Sequence, residues 1–502
     1  MNVSRRQFLR VGSGATLAAS AGCGKLPEAW QVWRPRSIRA PGPFQPPSAD
    51  SIDLVAHALN RLTFGVRPGD YARMKTLGQD EGAVVHAFVE EQLHPETIDD
   101  DVTAYALRQF DTLNQPLGEM FEYKERVLLD EMIRSTLLRA TMSERQLYEV
   151  MVQFWTDHFN IDPSKGDCRW LKAADDREVI RKHALGKFPE MLRASALSPA
   201  MLWYLDGRVN RKASSEEKPN ENYGRELLEL HTLGVHGGYS QRDVMEVARC
   251  LTGWTVREKG QFRKALVEFK PYLHDQKSKE VLGQVIPAIP ANANAGQQRE
   301  LGAAELDRVL QIVGLHPATA RHLATKLCRR FIADTPPETA VATVAEAFLK
   351  TKGDIPDTLR ALFATPEFQT TRGNKLKRPF NFIVSALRAT NAATGARNEL
   401  VEYLLRMGHA PFHYPTPDGY PEEASPWLGT LLWRWNFAVT LSENRFNGAR
   451  VDLDSLRHNF GGDAGLMAHL LGRRPTPEES AAYHESGAGL ALILASPAFQ
   501  RC

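Results

Sequence analysis

Apolar residues recur along most of this chain at helical rather than strand spacing. Between Ile52 and Phe64, the positions Leu54, Val55, Ala58, Leu59 and Leu62 fall on one helical face. The segment from Ser143, SERQLYEVMVQFWTDHFNI, places Phe154, Trp155, His158 and Phe159 on one face and stops at Asp162-Pro163. Ser143 with Gln146 predicts a capping box at its start. A further helix is predicted from Ser240, capped by Asp243, with Val244, Val247, Ala248 and Leu251 inward and Gly253 closing it. Gly314 ends another helix and Pro317 opens the next. The pattern turns to alternation only between Thr255 and Pro290, where LVEFKPYLHDQKSKEVLGQVI reads as two short strands around a turn holding His274 and Asp275. The fold class these patterns predict is mainly α: a multi-helical globular body with a small β-hairpin insertion near 262–286.

Length divides this body. At 502 residues the chain is too long for one simple core. The low-complexity run PAIPANANAGQQ, from Pro287, suggests a boundary between a lobe at 51–290 and a second at 300–502. Within the second lobe the stretch 408–426 carries five prolines, two histidines and two tyrosines, and its aromatics suit an ordered wall or lid. The two terminal segments have other roles. Residues 1–23 resemble a twin-arginine export signal: Arg5-Arg6 precede Phe8-Leu9 and a small-residue run from Val11 to Ala21. Ala21-Gly22-Cys23 resembles a lipoprotein cleavage site, which would put a lipid on Cys23; ordinary peptidase cleavage with a soluble product is the other reading. Residues 24–50, rich in proline, read as a tether. The expected location is the periplasm or cell envelope, with membrane contact only through that lipid.

Composition adds exclusions. The 62 basic and 60 acidic residues leave a net charge of +2, which gives no electrostatic reason to expect nucleic acid as a partner. The five cysteines show no CxxC or Cys/His spacing that would suggest zinc, and Cys250 and Cys328 fall on apolar helix faces as buried thiols.

The densest chemistry lies in KPNENYGRELLELHTLGVHGGYSQRDVMEVARCLTGW, from Lys218 to Trp254. Its first helix starts near Asn222 and stops at Gly234, with Asn222, Glu226 and Glu229 on one side and Leu227, Leu228 and His231 on the other. Neither side is plainly solvent-facing, so it reads as an interior helix. Carboxylates on such a helix must be paired, protonated or bound to a cation. A pairing of Arg225 with Glu229 would be purely structural. The functional reading takes Glu226 and Glu229 as acid/base carboxylates, with His158, His231 or His274 as partner. Tyr223, Arg225 and His231 are also residue types that an eliminating enzyme needs, with Asn222 or Arg225 neutralising a uronate. Trp155, Tyr420 and Trp427 are candidate substrate-binding aromatics. At about 100° per residue His231 points about 140° from Glu226, so a site needs partners from several segments.

Several of these segments resemble a bacterial family known as a domain of unknown function, DUF1800: HALNRLTFG at 57, WTDHFNI at 155, NYGRELLELHTLGV at 222 with its continuation to Trp254, HDQKSKEVLG at 274, KRPFNF at 377 and PDGYP at 417. The resemblance implies an exported, mostly helical protein, found beside a second, sulfatase-like exported family. It implies no activity.

Three readings stand at this point. One is an exported hydrolase or lyase acting on an extracytoplasmic polymer, most simply a polysaccharide. Another is a transition-metal protein, with iron, manganese or zinc held by Glu226, Glu229, His158, His274 and Asp275. The third is a non-catalytic helical partner of the sulfatase-like protein. The first two expect His158, Glu226 and His274 to converge on one hollow.

Overall fold

The computed structural model describes Gln45 and residues 51–502 apart from 215 and 261–263. The twin-arginine segment, Cys23 and all of the proline-rich stretch but Gln45 lie outside the described residues. The body is mainly helical, and its described sheets are three two-stranded antiparallel pairs. One contiguous buried cluster runs from Leu54 to Phe499. Each leucine, valine or phenylalanine fully buried in it contributes about 1.5–3 kcal/mol relative to exposure. No helix among the described residues is long and apolar enough to cross a membrane.

Helix Leu54–Leu62 forms as its spacing predicts, capped by Asp53 and buried on nearly every position. It runs on into Gly65, whose carbonyl accepts from Nε of Arg388 at 2.7 Å. Arg388 lies on helix Pro379–Ala389 and is itself buried, donating also to the Thr141 carbonyl at 2.9 Å. One guanidinium thus joins three segments distant in sequence and leaves few of its donors unpaired.

The predicted cap at Ser143 does not form. Helix Gln146–His158 begins three residues later, and Ser143 ends the preceding helix Glu125–Met142, donating from its hydroxyl to Asp100 at 2.9 Å. Gln146 instead turns its amide back onto the Ala140 and Ser143 carbonyls, closing the corner between the two helices. The capping box at Ser240 is present, opening helix Gln241–Cys250. Its partner helix Asn222–Glu226 packs so closely that a Cβ on Gly224 would lie 3.0 Å from the Ala248 nitrogen.

That partner helix then widens. Residues Leu227–His231 form a π turn, bonded five residues apart rather than four. Positions five apart therefore lie about one turn from each other, and His231 swings back toward Glu226 from the direction that α spacing assigns it. A second π turn covers Asp176–Arg181 and brings Nε of Arg181 2.8 Å from Asp176, also five residues apart.

The hairpin of the insertion is Lys279–Val281 paired with Gln284–Ile286. Strand Val267–Phe269 pairs with Trp254–Val256 instead. His274 and Asp275 consequently lie on the link between two small sheets, not in a hairpin turn.

Candidate functional site

The C-terminal end of helix Gln146–His158 is the focus of polar chemistry in the molecule. Trp155 is buried there, with Nε1 donating to the Ala184 carbonyl at 3.0 Å and its ring packed on Phe154, Phe159 and Phe188. With 1% of its surface exposed it is a core residue, not a face on which substrate could stack. His158 follows on the same side. Its Nε2–H donates to the His231 carbonyl at 3.2 Å, which leaves Nδ1 to accept from the ammonium of Lys326 at 3.0 Å. Burial first, then the Lys326 charge, hold His158 well below its ordinary value, so the ring is neutral.

Lys326 comes from helix Pro317–Phe331. Removal from water lowers its ammonium from 10.5 to about 8, against the opposing pull of Asp157, Glu422 and Asp418. His322, one turn earlier, donates from Nε2 to the Leu230 carbonyl at 3.3 Å and is lowered to about 4 by burial and by Lys326. The His231 ring completes the group, its centroid 6.2 Å from that of His158. It is wholly buried, neither of its nitrogens has a hydrogen-bond partner, and burial lowers it to about 3. Three neutral imidazoles thus surround one ammonium whose pKa is brought down toward neutrality.

The carboxylates around this amine are held by a loop. Residues 408–424 cross the end of the helix and are fastened there by backbone bonds. The Asn160 amide donates to the Tyr414 and Thr416 carbonyls at 2.9 and 2.7 Å, and the Tyr204 hydroxyl to the Pro415 carbonyl at 2.8 Å. Gly419, at φ +74°, lies so close that a Cβ would come within 2.0 Å of the Asp157 carbonyl oxygen. Glycine is the residue that fits both the space and the left-handed backbone. Asp418, beside it, is exposed. It raises Glu226, whose carboxyl is pushed up first by burial and next by Glu229. Asp157 is also raised by burial, even though Nη1 of Arg378 donates to it at 2.9 Å. Arg378 and Arg330 share Glu422 on their other side, at 3.3 and 3.5 Å.

Asp157 opens onto a small cleft of about 40 Å³, lined also by Gln153, Asn160, Arg181 and Tyr420. Tyr420 keeps one edge toward it, while its hydroxyl donates to the Ala410 carbonyl at 2.8 Å. Trp427 packs behind, stacked on His409 with centroids 4.9 Å apart, and donates to the Pro421 carbonyl; it supports the loop and does not line the cleft.

The other sequence candidates divide between this site and elsewhere. Glu226 and Glu229 are half-buried, on the face predicted for them. Burial and then the charge of nearby Glu229 push the Tyr239 phenol up. Arg225 pairs backward with Glu221 at 2.8 Å and with Gln241, not with Glu229, because the π turn begins immediately after it. Asn222 donates to the Leu205 carbonyl and occupies the first helical position, with Glu221 as the preceding residue. Tyr223 is buried against His231, and burial pushes its phenol up.

His274 and Asp275 are separate from all of these. Nδ1 of His274 donates to the Thr252 carbonyl at 2.8 Å, while Nε2 faces the buried Lys279–Glu305 pair. Asp275 is taken by Arg249 at 2.8 and 3.2 Å. Their donor atoms are already committed, which removes the ligand set that the adjacent histidine and carboxylate suggested. Among the described residues no group of three or more His, Cys, Asp or Glu side chains is arranged to hold a metal ion. Among those residues, no hydrogen bond, ion pair or ring contact joins His274 to His158 or Glu226.

Lys326, Arg378, Asp418 and Glu422 carry this site without having been singled out from sequence. Arg378 and Asp418 lie within KRPFNF and PDGYP, which carry the family resemblance; Lys326 has no such signal. No curated protein and no solved structure matches the chain. The family model described as a protein of unknown function, DUF1800, matches residues 57–501, nearly the whole length, and the protein belongs to that family.

Proposed function

We propose that this protein is an exported enzyme that carries out acid–base chemistry on an extracytoplasmic polymer, most simply an acidic glycan, in the manner of a lyase. One observation carries the reading: Lys326 is lowered to about 8 beside a neutral His158, while Asp157 and Glu226 are both pushed upward. An amine brought down toward neutrality and acids brought up toward it are the condition for proton transfer in both directions near pH 7. In this reading free Lys326 removes a proton from a carbon next to a uronate carboxylate. The bond to the departing glycosidic oxygen breaks, and the protonated form of Glu226, which burial and Glu229 favour, protonates that oxygen. His158 holds the amine in place through Nδ1. Of these groups Asp157 lines the cleft beneath the 408–424 loop.

The test is a panel of uronate-containing polysaccharides, read by absorbance of the unsaturated product. Wild-type protein is expected to release that product. Lys326→Met should cut turnover by about 10²–10⁴-fold with its melting temperature no lower than that of wild type. A substrate turned over equally well by Lys326→Met would refute the reading.

A second reading, a non-catalytic partner of a co-exported sulfatase-like protein, is favoured by one feature. Leu428, Leu431, Leu432 and Trp435 form an exposed stripe at helical spacing, Leu432 being 65% exposed. Co-purification abolished by Leu432→Glu and unaffected by Lys326→Met would support it.

A further inference from the structure

Arg378 also lines a second cavity, separate from the cleft under the loop, where helix Leu54–Leu62 meets the segment 375–378. Five cationic side chains line it, Arg61, Arg330, Lys375, Lys377 and Arg378, against one carboxylate, Glu422. All five are at least nine-tenths buried. Three have acidic partners: Arg330 and Arg378 meet Glu422, Arg378 also meets Asp157, and Lys375 meets Asp334 at 2.7 Å.

The other two have none among the described residues. Arg61 donates from Nη2 to the carbonyls of Ile332 and Thr371, at 3.3 and 3.1 Å, while its Nε and Nη1 donate to nothing. Lys377 sets its ammonium 4.0 Å over the Phe499 ring. Cys502 lines the same cavity and lends both groups some negative potential, without an ion pair to either. On Arg378, Nε likewise lacks a hydrogen bond, while Nη2 faces Glu422 at 3.3 Å. Buried cations without an ion-paired carboxylate are costly. Here they line one cavity with unused donors. HALNRLTFG and KRPFNF supply Arg61, Lys377 and Arg378 to this cavity, and Phe64 and Phe380 to the cleft beside Asp157.

We propose that this cavity binds a small dianionic oxyanion, a sulfate or phosphate group, through the free N–H groups of Arg61 and Arg378 and the ammonium of Lys377. The two unpaired cations match its charge, and guanidinium N–H pairs suit the spacing of its oxygens. The cavity between these side chains is only about 20 Å³ in volume. The occupant is therefore a free ion or the charged head of a larger molecule, with no room for a sugar ring. The site shares Arg378 with the surroundings of Asp157 and includes neither Lys326, His158 nor Glu226.

The test uses the whole protein and three probes, inorganic sulfate, inorganic phosphate and a sulfated disaccharide, each titrated at constant ionic strength against chloride. Melting temperature is the readout, because an anion that binds only the folded state raises it by mass action. The proposal expects a saturable rise. Saturation by an inorganic ion assigns a free oxyanion, and saturation by the disaccharide alone assigns the head group of a larger ligand. Lys377→Met should weaken the midpoint at least about tenfold. Arg61→Lys, which keeps the charge and removes the paired donors, should weaken it too. Glu226→Gln should leave it unchanged. A linear, unsaturable rise with every probe, the general effect of excluded salts, overturns the proposal. So does a saturable rise that both Lys377→Met and Arg61→Lys retain at full strength.

Discussion

Lys326 donates to Nδ1 of His158 across 3.0 Å, and that one bond joins two helices 168 residues apart in sequence. It fixes the histidine as a neutral ring, since the other nitrogen donates to a carbonyl. It also fixes the lysine in a half-buried place where its own charge is disfavoured, among three imidazoles. Around it Asp157, Glu422 and Asp418 supply negative charge without an ion pair to the amine. Such an arrangement shows itself in stability as well as in activity.

Lys326 costs the fold stability at neutral pH. Its pKa falls on folding, so between about 8 and 10.5 the unfolded chain holds a proton that the folded protein lacks. Stability therefore rises with pH across that window, and below pH 8 the full cost remains. Lys326→Met should stabilise the protein at pH 7 by on the order of 1–2 kcal/mol, with the gain shrinking toward pH 10.5. Urea unfolding of both proteins at pH 7 and pH 10 measures this; a gain that is equal at both would contradict it.

Acid should act in the same direction through the histidines. His158, His231 and His322 are all lowered by burial, the last two to about 3 and about 4. Between about pH 4 and 6.5 the unfolded chain binds protons on these rings that the folded protein refuses. Stability should fall as pH drops through that range, by about 4 kcal/mol per pH unit from these three together. Replacing His322 with Gln should reduce the slope by about a third, measured from unfolding midpoints at pH 5 and 6.

Gly419 is where the loop depends most on the absence of a side chain. A Cβ there would lie 2.0 Å from the Asp157 carbonyl oxygen, at φ +74°. Gly419→Ala should lower stability by about 2–4 kcal/mol through backbone strain and displacement of the loop. It should also make 408–424 more sensitive to protease. An alanine variant as stable and as resistant as wild type would show that the loop does not seat on Asp157.

Gly224 makes a similar demand between helices. A methyl group there would meet the Ala248 nitrogen at 3.0 Å and the Val244 oxygen at 3.1 Å. Gly224→Ala should cost about 1–3 kcal/mol, offset in part by better helix propensity. Thermal melting decides it.

Much of this fold is legible along the chain because its cues are local. Ser240 and Asp243 sit three apart and make their capping box. Gly314 and Pro317 end and begin the helices that they predict. Ser143 shows the limit of the same rule: its hydroxyl has a competing partner in Asp100, 43 residues away, and the cap is lost. The site was half visible. His158, His231 and Glu226 stand out by residue type, and they do lie near one another's neighbours. Lys326 does not stand out, because on its own helix it is one lysine between Leu323 and Leu327, and its charge matters only where it is buried. The π turn at Leu227–His231 has no sequence rule behind it, so the side of the helix on which His231 falls could not be read at α spacing. His274 beside Asp275 looks reactive as a pair, yet Thr252, Arg249 and Glu305, from other segments, occupy both.

The most direct test is the protonation of Lys326 itself, followed by side-chain NMR of the ε-methylene in lysine-labelled protein, with Lys326→Met to assign the signal. The arrangement around His158 predicts a midpoint near pH 8, and one near the ordinary 10.5 would contradict the account of a poised amine at this site.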